Sequence, residues 1–160
     1  MLNYLSAAAF PHLRAALTLR LAILCIVIGC LCGCQPSANE QSLRAAIDQL
    51  EAAGEAREVN AFMAQVAEDF SGQAGAMDAL ALRRFLIGIQ LRTRSIAVTR
   101  TSTNITLQGE RAKVELAMVV TDSNGLLPSQ GQYVRAQTLW RFEQGQWRLS
   151  TAQWQEGLAP

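Results

Sequence analysis

From Leu43 the apolar residues Leu43, Ala46, Ile47 and Leu50 recur at helical spacing, which predicts a first helix broken near Gly54. A second stripe, Val59, Phe62, Met63, Val66 and Phe70, keeps the i, i+3, i+4, i+7, i+11 pattern and predicts a second helix ending at Phe70. Gly72 and Gly75 in "SGQAG" stop it. Asp78 is placed to cap a third helix, "ALALRRFLIGIQLR", with Leu82, Phe85, Leu86 and Ile89 on one face. After Arg94 the period changes to alternation. "SIAVTRTSTNITL" and "ERAKVELAMVV" flank a turn at Gln108–Gly109, and "QYVRAQTLWRFE" and "QWRLSTAQW" flank another at Gln144–Gly145. The loop "TDSNGLLPSQG" joins the two hairpins. The expected architecture is α+β: three N-terminal helices packed on one face of a four-stranded antiparallel sheet.

Two-residue turns fix an expected register. Phe142 faces Trp147 and Trp140 faces Leu149 on one sheet face, with Arg141 and Arg148 on the other. In the first hairpin Ile105, Thr103, Thr101, Thr99 and Ala97 share the core face with Ala112, Val114, Leu116, Met118 and Val120. A bulge in either hairpin would move part of this set.

Upstream of the helices the pattern is of another kind. Arg14 and Arg20 precede a charge-free run, Leu21 to Cys32, of about 12 residues. A bilayer-spanning helix needs roughly 20. Positive charge, a short apolar run and small residues before a cut describe a processing signal. "LCGC" resembles a bacterial lipobox, with Leu31 three residues before the acceptor Cys34 and Gly33 next to it. The overlapping "VIGC" makes Cys30 the alternative acceptor. The expected organisation is a signal peptide over 1–33, a lipidated Cys and polar tether over 34–41, and one domain over 42–160. The lipobox resemblance implies a lipid-anchored protein of the cell envelope. The same resemblance implies the outer membrane, with the domain facing the periplasm, because Gln35 rather than aspartate follows Cys34.

Composition then narrows the chemistry. No cysteine follows Cys34 and the only histidine, His12, lies in the leader, so neither a zinc site nor an internal disulfide is expected. No cofactor is expected either. The leader takes two of the 14 basic residues and none of the 13 acidic ones, leaving a slightly acidic domain without the basic excess that nucleic-acid binding needs.

"IDQLEAAGEAREVNAFMAQVAEDF" and "TLWRFEQGQWRLSTAQW" together resemble the nuclear transport factor 2-like superfamily (SnoaL-like, ketosteroid-isomerase-like, cystatin-like) over Ser42 to Trp154. The resemblance implies a curved sheet wrapped around the helices to leave a cone-shaped pocket. It spans isomerases, dehydratases, hydrolases, ligand-binding domains and interaction domains, so it does not choose a function. Residues expected to line such a pocket are Phe62, Val66, Thr99, Thr101, Leu116, Met118, Thr138, Trp140 and Thr151. Among carboxylates Asp69 is the best-placed acid, either as a general base at the rim or, as structural acids usually are, paired with Arg83, Arg84 or Arg100. Ile96, Val98, Ala117 and Val119 form an apolar group on the opposite face in this register. That group is expected to be covered by a second copy or by the Leu126–Leu127–Pro128 loop. Two functions stay open: an anchored module binding a small apolar ligand or an envelope protein, and a small isomerase, dehydratase or hydrolase using a pocket carboxylate.

Overall fold

The computed structural model describes residues 37–123 and 131–157. Cys30, Cys34 and the Leu126–Leu127–Pro128 loop lie outside the described residues. The chain runs α1 (Glu40–Glu55), α2 (Val59–Met63), β1 (Val66–Gly72), a short 3-10 turn (Gln73–Gly75), β2 (Met77–Asp78), α3 (Ala79–Arg92), β3 (Ser95–Gln108), β4 (Arg111–Ser123), β5 (Gln132–Glu143) and β6 (Gln146–Gly157). Among the described residues, three α-helices and an α+β architecture match the sequence expectation. The sheet does not: it has six strands in the order β2-β1-β6-β5-β4-β3, and β1 runs parallel to β6.

One extra strand, β1, comes from the second apolar stripe; the other, β2, is the two-residue segment Met77–Asp78 that pairs with its end. The helix predicted to reach Phe70 ends at Met63, and the chain continues as a strand. Val66 and Phe70 are four residues apart, which is about one helical turn but also an even strand interval, so both periods place them on one face. Pairing with β6, including a Leu149 N–H to Gln65 carbonyl bond of 2.8 Å, satisfies the backbone as a strand.

The helix starts follow local chemistry. Asn39 caps α1 by accepting from Ser42 N–H at 2.8 Å while Ser42 Oγ accepts from Asn39 N–H at 3.2 Å. Asp78 caps α3 by accepting from Ala81 N–H at 2.7 Å. The α1–α2 break turns on Arg57, whose backbone adopts φ +59. Its guanidinium donates to the carbonyls of Gln90 and Arg94, tying this break to the end of α3.

The β5–β6 hairpin has the expected turn, with Gln144 at φ +53 and Gly145 at φ +77, and pairs Phe142 with Trp147 and Trp140 with Leu149. The β3–β4 turn falls one residue later than expected, on Gly109–Glu110, because Gln108 pairs with Arg111. That shift leaves the faces unchanged. Two bulges change them. β3 carries an extra residue at Thr101, between Arg100 and Ser102, and β6 slips opposite the Leu139–Trp140 step of β5.

One sheet face holds the core. Leu43, Ala46 and Ile47 of α1 and Leu82 of α3 join Val66, Phe70, Ala112, Val114, Trp140, Trp147, Leu149 and Ala152 in one buried cluster. The helices therefore lie on this inner face. Trp147 Nε1 donates to Ser42 Oγ at 2.9 Å, fastening the start of α1 to the last hairpin.

Candidate functional site

The inner face continues beyond the core. In register, Ile96, Val98 and Arg100 of β3 stand with Met118 and Val120 of β4 and Val134 of β5. All are half-buried, and none of the apolar ones belongs to the buried cluster or to the partly buried residues packed on it. Trp154 of β6, opposite Ala136, borders this region and packs against Phe85 of α3 with ring centroids 6.1 Å apart. An apolar surface bounded by an aromatic pair is the kind of lining that small-molecule sites use.

The polar group here is a charge cluster that the bulge at Thr101 creates. Without the extra residue Arg100 would point outward. With it, the guanidinium meets α1: it contacts Asp48, and its Nε lies 2.7 Å from Glu51 Oε2. The Arg100 and Glu51 side chains are 27 % and 19 % exposed, whereas Asp48 is 58 % exposed. Burial pushes the Glu51 carboxyl above the ordinary glutamate range; Arg100 opposes that rise, and the Glu55 and Asp48 carboxylates add to it. Glu55 also accepts from Val98 N–H at 2.7 Å, so the last turns of α1 are fixed to β3. A carboxyl held partly dry beside a guanidinium can hold or move a proton at its oxygens.

The residues expected from the sequence fall in several places. Leu116 and Met118 are half-buried on the inner face, Leu116 packed against the core and Met118 outside it. Val66 and Trp140 are buried in the core, with Phe62 packed against it, so these three hold the scaffold. Thr138 is also buried. Its hydroxyl accepts from Trp140 Nε1 at 2.9 Å and lies 3.3 Å from the Val114 carbonyl, to which it donates. Thr99 and Thr151 are on the outer face, displaced by the two bulges, and Thr101 is the bulged residue itself, donating to the Ala117 carbonyl at 3.0 Å.

Asp69 lies in β1, not at a helix end. Its carboxylate is 66 % exposed on the outer face and bound by both terminal nitrogens of Arg141, at 2.9 and 2.5 Å. The hydrogen bonds from Arg141 hold it below the usual aspartate range. It is a paired surface acid, with Arg141 in place of the three expected arginines. The group Ile96, Val98, Ala117 and Val119 is likewise split: the first two are on the inner face and the last two on the outer. The outer face of β3–β5 also carries a polar group, with Lys113 2.8 Å from Glu115 and Asn104 and Gln137 within bonding reach of that carboxylate.

The sequence pattern does not single out Glu51 or Val134, names Arg100 only as a partner for Asp69, and places Ile96 and Val98 on the opposite face, but a signal for the β3 members is present. Ile96 and Val98 are even-numbered and Ile105 and Leu107 odd, so the apolar parity switches along one strand. Likewise Leu149, Ala152 and Trp154 are spaced three and then two. An odd interval between apolar strand residues marks a bulge. Among the described residues no cluster of three or more His, Cys, Asp or Glu is placed to hold a metal ion, and no helix is long and apolar enough to cross a membrane.

No protein-family model and no curated protein sequence matches the chain. The fold has clear counterparts among solved structures and is the nuclear transport factor 2-like α+β fold. A provisional dehydratase of that family from Streptomyces avermitilis superposes with a TM-score of 0.65, at 17 % identity, covering 74 % of this chain and 96 % of the other. A nuclear transport factor 2-like protein of unknown function from Pseudomonas putida gives 0.64 at 18 % identity over 75 % and 87 %. A provisional scytalone dehydratase from Novosphingobium aromaticivorans gives 0.63 at 14 % identity over 74 % and 83 %. At these identities the likeness defines the fold and leaves the chemistry to the residues.

Proposed function

We propose that this is a cell-envelope lipoprotein, acylated at Cys34 and facing the periplasm, whose domain binds a small, largely apolar ligand on the inner sheet face. The observation that carries the binding reading is the half-buried apolar set Ile96, Val98, Met118, Val120 and Val134 on the inner face, which lies outside the buried core cluster. Burying apolar area contributes roughly 25 cal/mol per Å2, so such a surface favours an apolar occupant. "LCGC" supports the anchor. Titration with the apolar fluorophore N-phenyl-1-naphthylamine should show saturable binding with energy transfer from tryptophan. Replacing Val98 and Val134 by glutamate should abolish that binding. Unchanged probe affinity in a folded double variant sinks the ligand site. Labelling with an alkynyl fatty acid should be lost in Cys34→Ser; labelling that persists there and disappears in Cys30→Ser moves the acceptor to Cys30.

A second reading is favoured by Glu51, a carboxyl raised in pKa next to Arg100 on the same face. It is proton-transfer catalysis of the isomerase or dehydratase kind, with Glu51 as acid or base. A ligand complex decides it. A ligand atom within about 2.6–3.2 Å of the Glu51 carboxyl supports catalysis, and a ligand held out of its reach removes it.

A further inference from the structure

Helix α3 is apolar on two sides. One side faces the protein through Leu82, which is buried, and Leu86 and Ile89, which are half-buried. The other side carries Leu80, Ile87 and Leu91, which are 54 %, 40 % and 81 % exposed. At about 100° per residue these three fall within a sector of roughly 40°. Three large aliphatic side chains aligned on a solvent-facing helix surface mark a contact with something other than water.

The charge around this stripe says what that contact is. From Ala79 through Gly109 the sequence contains no Asp or Glu and five arginines: Arg83, Arg84, Arg92, Arg94 and Arg100. Only Arg100 is neutralised. Among the described residues the ion pairs include none of the other four. Arg84 lies at one edge of the aliphatic stripe and Arg83 on its other flank, Arg92 is about 120° from its centre in the last turn, and Arg94 follows the helix end. Of these, Arg83 donates to Asn60 Oδ1 at 2.9 Å and Arg92 to the Gly88 carbonyl at 3.0 Å, bonds that leave both charges uncompensated. A domain with slightly more acid than base thus places unpaired cations around the exposed aliphatic stripe of α3, Arg84 and Arg83 on its flanks and Arg92 and Arg94 at the end of the helix.

We propose that this face of α3 lies on an anionic bilayer surface, with Leu80, Ile87 and Leu91 at the headgroup–acyl boundary and the arginines at lipid phosphates. A second copy of the chain is the weaker occupant, because a two-fold contact through the stripe would bring the same arginines together. The proposal rests on the lipid-anchor reading in one respect. The tether from Cys34 to Asn39 spans at most about 18 Å at ~3.6 Å per residue, which keeps an acylated domain near the bilayer. A second, weak contact then forms at high effective concentration. The interface holds the domain in one orientation and leaves the opposite sheet face free.

Residues 36–160 form their own compact unit and contain every helix, strand and core residue described, so this unit is the protein for the test. It is sedimented with vesicles of phosphatidylcholine alone and of equal parts phosphatidylglycerol and phosphatidylcholine. Binding should be confined to the anionic vesicles and weaken as salt rises. Each surface arginine contributes about fivefold in partitioning, so Arg84→Gln with Arg94→Gln should cost at least about tenfold. Leu80→Gln with Leu91→Gln should cost a similar factor. Leu91→Gln alone serves if the pair disturbs folding. Absence of binding to anionic vesicles, or variants that bind like the parent, overturns the proposal. So does a concentration-dependent dimer that the leucine variant dissolves, since a second copy would then own the face. Because this unit lacks Cys34, a failure of acylation in the full chain would leave the result untouched.

Discussion

Replacing Arg100 by glutamine keeps the side chain's reach and removes its charge, leaving Glu51, Asp48 and Glu55 without a cation between them. Two unit charges about 4 Å apart attract by ~1 kcal/mol in water and ~4 kcal/mol at an effective dielectric of 20. The Arg100–Glu51 pair is shielded enough to lie between these limits, while Asp48, more than half exposed, adds little. The expected loss at neutral pH is therefore about 1–2 kcal/mol. Its pH dependence identifies the cause. Glu51 is raised above the ordinary glutamate range in the folded protein. The folded state therefore retains the proton longer than the unfolded one, and stability falls as pH rises from the ordinary glutamate range through the raised value. Arg100 limits that fall. In Arg100→Gln the Glu51 carboxyl rises further, the window widens, and the gap from wild type grows as pH rises from the ordinary glutamate range through the raised value before levelling. Urea denaturation followed by tryptophan fluorescence across that range measures it. A gap that stays constant with pH would mean that Arg100 acts through packing, and no gap would remove the cluster from the energetics altogether.

Three further outcomes follow from the same structure. Thr138→Val preserves shape but deprives the buried Trp140 indole N–H of its acceptor, which should cost about 1–2 kcal/mol in urea denaturation, with Thr138→Ser retaining most of it; a valine variant as stable as wild type would show that bond to be inert. Asp69→Asn should leave the affinity for the apolar fluorophore unchanged, because the carboxylate faces away from the inner surface; weakened binding by a folded variant would return Asp69 to the site. Gln144→Asn should stabilise by roughly 0.5 kcal/mol, since Gln144 sits at φ +53 in the β5–β6 turn and asparagine tolerates that backbone better; an unchanged thermal midpoint would count against strain there.

The helices and hairpins were legible because their signals are local. Asp78 caps α3 through a bond three residues away, and Gln144–Gly145 sets the last hairpin through its own backbone. β1 was not legible, because Val66 and Phe70 satisfy both periodicities and the decision rests with β6, far along the chain. The site depended on the least local feature of all. The Thr-rich run from Thr99 to Thr106 has no apolar alternation of its own to pin a register. One unpaired residue at Thr101 then exchanges the faces of everything before it in β3. That exchange moves Ile96 and Val98 from an outer patch to the inner lining, and it delivers Arg100 to Glu51. A threonine that looked like a pocket hydroxyl thus acts through backbone geometry. The same bulge sets both the apolar surface and the ion pair beside it, so the binding and proton-transfer readings concern one site and differ only in whether a ligand reaches Glu51.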